Sequence, residues 1–391
     1  MTTPVYLDNH ATTRVDPRVV DVMLPLMTEG YGNAASRQHV FGWEAEAAVE
    51  LARKRVAALI GARPEEVVFT SGATESINLA MKGIAESGQG RGNHIVIAAT
   101  EHRAVLDTAA RLTRYGFTVA TLSVDGTGRV EPDAVAASIT PETILVCLMA
   151  ANNEIGTLHP VMEIGAVCRE RGVLFHTDAT QAVGKIPVDV SAWNVDMMSF
   201  SAHKMHGPKG AGALYLRGAR PRVRLVPLID GGGHERGLRS GTLNVPAIAG
   251  FGMAAEIVRK EMDKDSARVR ALRDRLVAGL LAGVPGIRVN GHPVERLPHN
   301  ANITFPGIQA DAMMMAMKDI AVSSGSACST ASPEPSHVLR AIGLSREDAL
   351  SSLRFGLSRF TNAGEIDYAI DRVTETARAL MNRRRLDVPA L

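Results

Sequence analysis

Seven short apolar runs between residues 66 and 216 restrict what this chain can become. They are EVVFT (66–70), HIVIAA (94–99), FTVATLSV (117–124), TILVCLMA (143–150), VLFHT (173–177), DMMSFS (196–201) and GALYL (212–216). Most are continuous β-branched and aliphatic stretches without polar alternation, as strands buried on both faces are. Helical segments such as 73–88, 103–114 and 160–171 separate several of them. Strand and helix in alternation imply a mostly parallel sheet covered by helices on both sides. A further helix is signalled earlier, in DPRVVDVMLPLMTEG, with Asp16 as N-cap, Pro17 at the first helical position and Gly30 to end it.

Beyond about residue 260 the texture changes. A long charged segment, MDKDSARVRALRDRLVAGLLAG, precedes the short runs IRVN and ANITF, a loop of small residues, LRFGLS and a last helical stretch. A chain of 391 residues exceeds what one small core organises. We therefore expect an α/β protein whose large domain, 15–259, holds a mostly parallel seven-stranded sheet flanked by helices. A smaller α+β domain is expected from 1–14 and 260–391.

Lys and Arg number 43 against 41 Asp and Glu, and a net charge of +2 leaves no electrostatic footprint for nucleic acid or a membrane surface. The basic run NRRRL near the C-terminus reads as a solvated helix end. No apolar stretch approaches a bilayer span, and MTTPVYLDNHATTRVDP lacks the basic-then-apolar pattern of a secretory signal. Cys147, Cys168 and Cys328 lie far apart with no Cys-x-x-Cys pair, so neither a disulfide framework nor a cysteine zinc site is expected. A reducing cytoplasm fits this usage.

In open α/β sheets, ligands bind beyond the carboxyl ends of the strands. The unusual polar residues of this chain fall there. SGATES follows EVVFT and reads as a small-residue turn entering a helix, whose N–H groups can hold an anion such as phosphate. TEH, with His102, follows HIVIAA, and ANNEIG, with Asn152 and Asn153, follows TILVCLMA. DATQ, with Asp178 and Gln181, follows VLFHT, and AHKMHGPKG, with His203 and Lys204, follows DMMSFS.

Taken singly, each has an ordinary reading: a helix cap for SGAT and Asp178, a capped or surface position for His102, a solvent-facing position for Lys204. His203 and His206 without a third ligand make no case for zinc, and no metal is expected. No G-x-x-x-x-G-K-[ST] occurs, which disfavours a P-loop. Taken together, a phosphate cradle, a carboxylate, a histidine and a lysine at strand ends suit pyridoxal phosphate. That cofactor needs a lysine for its Schiff base, a carboxylate for its ring nitrogen and an anion site.

The motifs VYLDNHATT, FTSGATESINLA, TEHRAVLD, NNEIGT, HTDATQAVGK, SFSAHKMHGPKGAGALY, RSGTLNV, SSGSACSTASPEPSHVLRAIG and SLRFGLSRF run nearly the length of the chain. In them the sequence resembles the cysteine desulfurases of the NifS/IscS type, class V aminotransferase-like members of the fold-type I pyridoxal-phosphate enzymes. The resemblance implies a homodimer that takes sulfur from L-cysteine. It leaves L-alanine and a persulfide on Cys328, which passes to a sulfur-acceptor protein.

By the same resemblance Lys204 is the Schiff-base lysine and proton shuttle, and Asp178 pairs with the ring nitrogen. His102 stacks on the ring and serves in proton transfer, and Gln181 bonds the phenolic oxygen. Thr74, Ser201 and His203 hold the phosphate, Ala73 touches the cofactor beside them, and Thr242 reaches the phosphate in the other subunit. Asn153 contacts cofactor and substrate, and with Arg354 it binds the substrate carboxylate, which a guanidinium grips in bidentate fashion. Cys328, the nucleophile, lies in SSGSACSTASPEPS (323–336), a loop with nothing obvious to bury it. A mobile loop there would let the thiolate visit the site and carry sulfur away.

The C-terminal MNRRRLDVPAL departs from the tail with which scaffold-feeding members dock their partner. A tRNA-thiolation or nitrogenase-maturation acceptor therefore stands beside an iron–sulfur scaffold. A selenocysteine lyase or aminotransferase of the same fold is the nearest alternative, and an aminotransferase has no use for Cys328. A non-catalytic chain that kept the fold is the alternative of a different class.

Overall fold

The computed structural model describes residues 4–88, 92–218, 223–324 and 334–387. A short strand, β1 (Val5–Tyr6), precedes helices α1 (Pro17–Thr28) and α2 (Val40–Leu59). Strands and helices then alternate: β2 (Val67–Thr70), α3 (Ala73–Ser87), β3 (His94–Ala98), α4 (Arg103–Thr113), β4 (Thr118–Leu122), α5 (Pro132–Ser138), β5 (Thr143–Cys147), α6 (Val161–Glu170) and β6 (Leu174–Asp178). Strands β7 (Met197–Ser201) and β8 (Gly212–Leu216) lead to a 39-residue helix, α7 (Val245–Gly283). The remainder is β9 (Arg288–Asn290), β10 (Asn300–Thr304), α8 (Ala310–Ala316), β11 (Ile320–Ala321), α9 (His337–Ala341), α10 (Arg346–Leu350), β12 (Ser352–Gly356) and α11 (Ala363–Asp387).

The main sheet has seven strands in the order β2-β8-β7-β6-β5-β3-β4. Strands β3 to β7 are parallel, and β8 lies antiparallel between β7 and β2. Because β8 opposes both neighbours, β2 points the same way as β7. The carboxyl ends of β2, β3, β5, β6 and β7 therefore open on one side, as the placement of polar motifs implied.

Successive residues serve opposite faces of this sheet. Val67, Phe69, Val96 and Ala98 pack with Val19, Val56, Ile164 and Phe251 on one face. Val68, Ile95 and Ile97 pack with Ile77, Ile84, Val105 and Leu112 on the other. Two apolar layers explain why the strands carry no polar alternation.

Past α7 lies a second sheet, ordered β12-β10-β9 and antiparallel, with β1 and β11 paired in parallel beside it. Leu7, Leu276, Phe305, Met313, Leu353, Phe355 and Val373 form its core. The change of texture near residue 260 falls inside one continuous helix. The first half of α7 gives Ile248, Phe251 and Val258 to the main core, and its later turns give Val269, Leu276 and Leu280 to the second.

The β2 edge of the main sheet is closed by side chains instead of another strand. Glu235 Oε2 accepts from Phe69 N at 2.8 Å, and Arg53 Nη1 donates to Val67 O at 2.8 Å. Arg53 and Glu235 pair at 2.7 Å with side chains 5% and 1% exposed. This occupies edge groups that would otherwise template pairing with another chain. Removing one partner strands a buried charge, so Glu235→Ala should cost about 3–5 kcal/mol of stability. Equilibrium denaturation measures this, and a loss below about 1 kcal/mol would place the pair among solvated ones.

Candidate active site

Where the strand ends converge, the chain leaves a cleft of about 620 Å³. Its walls include His10, Thr74, His102, Asn153, Asp178, Gln181, Ser201, His203, Lys204 and Arg354. Strand β2 ends in the turn to α3, whose N-cap, Gly72, offers no side chain to the first-turn N–H groups. Ala73 and Thr74 begin the helix at the cleft wall. Close approach of β8 shapes this turn: a Cβ on Gly212 would stand 2.5 Å from Gly72 Cα. Ser201 closes β7, and its hydroxyl donates to Ala211 O at 3.2 Å. His203 Nδ1 lies 3.1 Å from Thr12 Oγ1, and burial lowers its ring to about 4, so it is neutral at pH 7.

Lys204 ends the single helical turn that follows β7. Its Nζ donates to the carbonyls of His10 and Ala11, the latter at 2.7 Å. Burial, aided by Arg354, lowers the amine from 10.5 to about 8, against the opposing pull of Asp178 and Asp8. Asp178 ends β6 and is 6% exposed. One carboxylate oxygen caps Thr180 N at 2.9 Å, and the other has no partner among the described residues. His102 caps α4, with Nδ1 accepting from Ala104 N at 3.1 Å, which leaves Nε2 for the cleft.

Gln181 is oriented by a relay behind it. Arg296 donates to Asn300 Oδ1 at 3.1 Å, so Asn300 presents its amide N–H to His10 Nε2 at 3.0 Å. His10 then carries its proton on Nδ1 and gives it to Gln181 Oε1 at 3.1 Å, and burial holds the ring neutral. Gln181 Nε2 donates to His10 O at 3.2 Å, which leaves its second N–H without a partner among the described residues.

Arg354, on β12, reaches across from the second sheet. Nη1 donates to Asn153 O at 2.9 Å and Nη2 to Asp8 Oδ1 at 2.9 Å, while Nε is buried without a partner among the described residues. Of the two asparagines, Asn153 faces the cleft. Asn152 turns inward, donating to Thr100 O at 3.0 Å and accepting from Glu154 N and Ile155 N.

Among the described residues, one expected site residue is away from this cleft. Thr242 is exposed before α7 and does not line the cleft of its own chain. Cys328 lies outside the described residues, as do Gly325 and Pro333. His206, paired with His203 in sequence, is buried against Arg14 O and Phe360. No group of three metal-ligating side chains occurs among the described residues.

His10, Thr12 and Lys209 line the cleft although nothing in the sequence marked them for it. Residues 10–13 reach it by docking on the loop after β7, with Thr13 N donating to His203 O at 3.0 Å. That contact joins positions 190 residues apart.

The donor set fits pyridoxal phosphate. A helix start and Thr74 suit the phosphate, Asp178 suits a protonated ring nitrogen, Gln181 holds a spare donor, and Lys204 is an amine near neutrality. The hydroxyl of Thr180, at the cleft wall, is buried without a partner among the described residues, as a group awaiting a ligand would be.

A family model for class-V aminotransferases matches residues 5–369. A cysteine desulfurase IscS of Anaeromyxobacter dehalogenans is 57% identical over 97% of this chain and 94% of its own length. The cysteine desulfurase IscS of Methylococcus capsulatus is 54% identical over 96% of this chain and 93% of its own. A solved NifS-like protein superposes with a TM-score of 0.90 at 39% identity, covering 97% of this chain and all of that one.

In the apoprotein, Lys204 should react with an acylating reagent at a rate that climbs through about pH 8 and levels off above it, because only the neutral amine is nucleophilic. Mass-spectrometric labelling against pH reads the midpoint. A value near the ordinary 10.5 would show that burial does not depress this amine.

Proposed function

The chain belongs to the class-V aminotransferase family, among its cysteine desulfurases, and on that premise we propose how its residues remove sulfur from L-cysteine. It is an enzyme of the sulfurtransferase class. Lys204, Asp178 and Gln181 would hold pyridoxal phosphate, with Ala73, Thr74, Ser201 and His203 around its phosphate. When bound, that group supplies an aldehyde that bonds amines and an electron-poor ring that accepts electrons released at the substrate Cα. The observation that carries the reading is Lys204, an amine lowered to about 8, in one cleft with Asp178, Gln181 and Arg354.

Each residue then has a task. Arg354 keeps one N–H on each of Nη1 and Nη2 without a partner among the described residues, enough for a bidentate grip on the substrate carboxylate beside Asn153. Lys204 takes the proton from the substrate Cα, which its lowered basicity permits at neutral pH. Asp178 holds the proton at the ring nitrogen. His102, with Nε2 toward the cleft, covers the ring face and moves a second proton.

The thiolate of Cys328 attacks the substrate sulfur. The S–S bond forms as the C–S bond breaks, and its electron pair stays on the substrate carbon. Protonation there and return of a proton to Cα from Lys204 give L-alanine, and Cys328 keeps the persulfide for an acceptor protein.

The state of the other two cysteines supports Cys328 as the nucleophile. Cys168 is buried and pushed up to about 12. Cys147 Sγ lies 2.9 Å from His176 Nδ1, which imitates a catalytic pair. Burial pushes that thiol up and that imidazole down to about 3, so both stay neutral.

Homodimerisation is part of the same proposal. Leu24, Met27, Tyr31, Phe41 and Trp43, at the end of α1 and the start of α2, are 57%, 62%, 70%, 43% and 55% exposed. Large exposed apolar side chains of this kind need a cover, and a second copy would bring its Thr242 to the phosphate. Among the described residues no helix is long and apolar enough to cross a membrane. A cytoplasmic location is proposed with it, and recovery of the chain in the membrane fraction would count against that.

Given L-cysteine, the holoenzyme should release alanine and accumulate protein persulfide. Cys328→Ala should lose both by at least about a hundredfold while keeping its cofactor absorbance. Lys204→Ala should lack the absorbance of the lysine-bound cofactor. Full sulfur release by Cys328→Ala would remove the nucleophile assignment. Sedimentation should report two chains per particle, and Trp43→Glu should shift the balance toward one. A single-chain wild-type particle with full activity would exclude the role of Thr242.

A further inference from the structure

Two contacts beside the cleft take no part in the roles above. Ser336, the N-cap of α9, accepts from Leu339 N at 3.2 Å and gives its own proton to Glu154 Oε2. His337, the next residue, donates from Nε2 to Glu101 O at 2.9 Å. Glu154 directly follows Asn153, and Glu101 directly precedes His102. The start of α9 therefore rests on the two loops that bring the carboxylate-binding asparagine and the ring-facing histidine to the cleft. In the chain, Ser336 stands eight residues after Cys328.

Glu154 is a rigid anchor. It is 4% exposed, and Asn152 Oδ1 accepts from its backbone N–H at 2.8 Å. Asn300 and Asn302 donate to its carbonyl at 3.1 and 3.2 Å. Burial raises its carboxyl to about 7, opposed by Ser336 and Arg354. A side chain on so fixed a backbone holds its partner in one place. Upstream of Cys328, Ser323 exchanges backbone hydrogen bonds with Arg354 at 2.7 and 3.3 Å. The chain on both sides of the nucleophile is thus tied to residues that flank the substrate carboxylate.

We propose that Glu154, acting through Ser336, is a positioning residue for sulfur transfer, fixing where the Cys328 segment rejoins the body of the enzyme. Neither residue lines the cleft. This rests on the assignment of Cys328 as nucleophile. A mere capping role for Ser336 predicts a weaker α9 without selective loss of one step.

The test uses the holoenzyme. Ser336→Ala should slow alanine release and single-turnover persulfide formation by about tenfold, the scale of a lost hydrogen bond to a charged group. The KM for L-cysteine should not change. Nor should the rate of the absorbance change on mixing with L-cysteine, which reports events before sulfur moves. Ser336→Thr, which keeps the hydroxyl, should recover to within about twofold, and Glu154→Ala/Ser336→Ala should be no slower than Glu154→Ala.

Wild-type turnover in Ser336→Ala would overturn the proposal. So would an equally slowed absorbance change, a threonine variant as slow as the alanine one, or additive losses in the double variant. Cys328→Ala separates the two readings. If it turns over normally, the nucleophile assignment fails. If it is inert while Ser336→Ala is normal, only the positioning role fails.

Discussion

Arg354 is the joint on which the site depends. It sits on β12 of the second sheet, yet its guanidinium bonds Asn153 O from the turn after β5 and Asp8 from the N-terminal segment. Its backbone bridges Ser323. One residue therefore joins chain segments that lie far apart in sequence. The ion pair with Asp8 has side chains 8% and 21% exposed, a setting in which Coulombic attraction is only weakly screened. A lysine could not do this, because it lacks the planar fork that bonds a carbonyl and a carboxylate together.

Burial then decides the charge states around that joint. His10, His203, His206 and His299 are all pushed to the neutral side by desolvation. His10 must be neutral for its relay to work, since a doubly protonated ring could not accept from Asn300. The same desolvation brings Lys204 to about 8, where an amine can both hold and release a proton near pH 7. The surrounding imidazoles add no positive charge, so the depression comes chiefly from burial and from Arg354.

Much of this was legible in the sequence because strand direction is legible. Continuous apolar runs marked the strands of the parallel sheet, and a parallel sheet delivers its carboxyl ends to one side, so Asp178, His102, Lys204 and Asn153 could be grouped before any contact was known. The antiparallel insertion of β8 left that logic intact, since it restores β2 to the common direction. The residues that escaped notice are those whose position depends on tertiary docking. His10 precedes α1 and the main sheet, with no periodicity to report that it packs on His299 at 4.4 Å and reaches Gln181. Asn152 and Asn153 are adjacent and chemically alike, and only backbone direction separates the structural one from the one at the cleft. Ser336 reads as a helix cap, and its second bond, to Glu154, spans 182 residues.

The three cysteines show why reactivity does not follow from having a histidine near a thiol. Cys147 has that neighbour, His176, which in turn meets Ser199 Oγ at 2.8 Å. The trio spans three adjacent strands in the middle of the sheet, where creating a thiolate and an imidazolium would require burying two charges with few other donors to satisfy them. The arrangement is therefore polar packing: each group satisfies another and none ionises. A sulfur carrier has the opposite requirement, because its thiol must ionise, meet the substrate in the cleft and afterwards present the persulfide to another protein. A side chain locked in a strand cannot meet all three conditions. The described chain on either side of Cys328 is held at two points, Ser323 on Arg354 and Ser336 on Glu154.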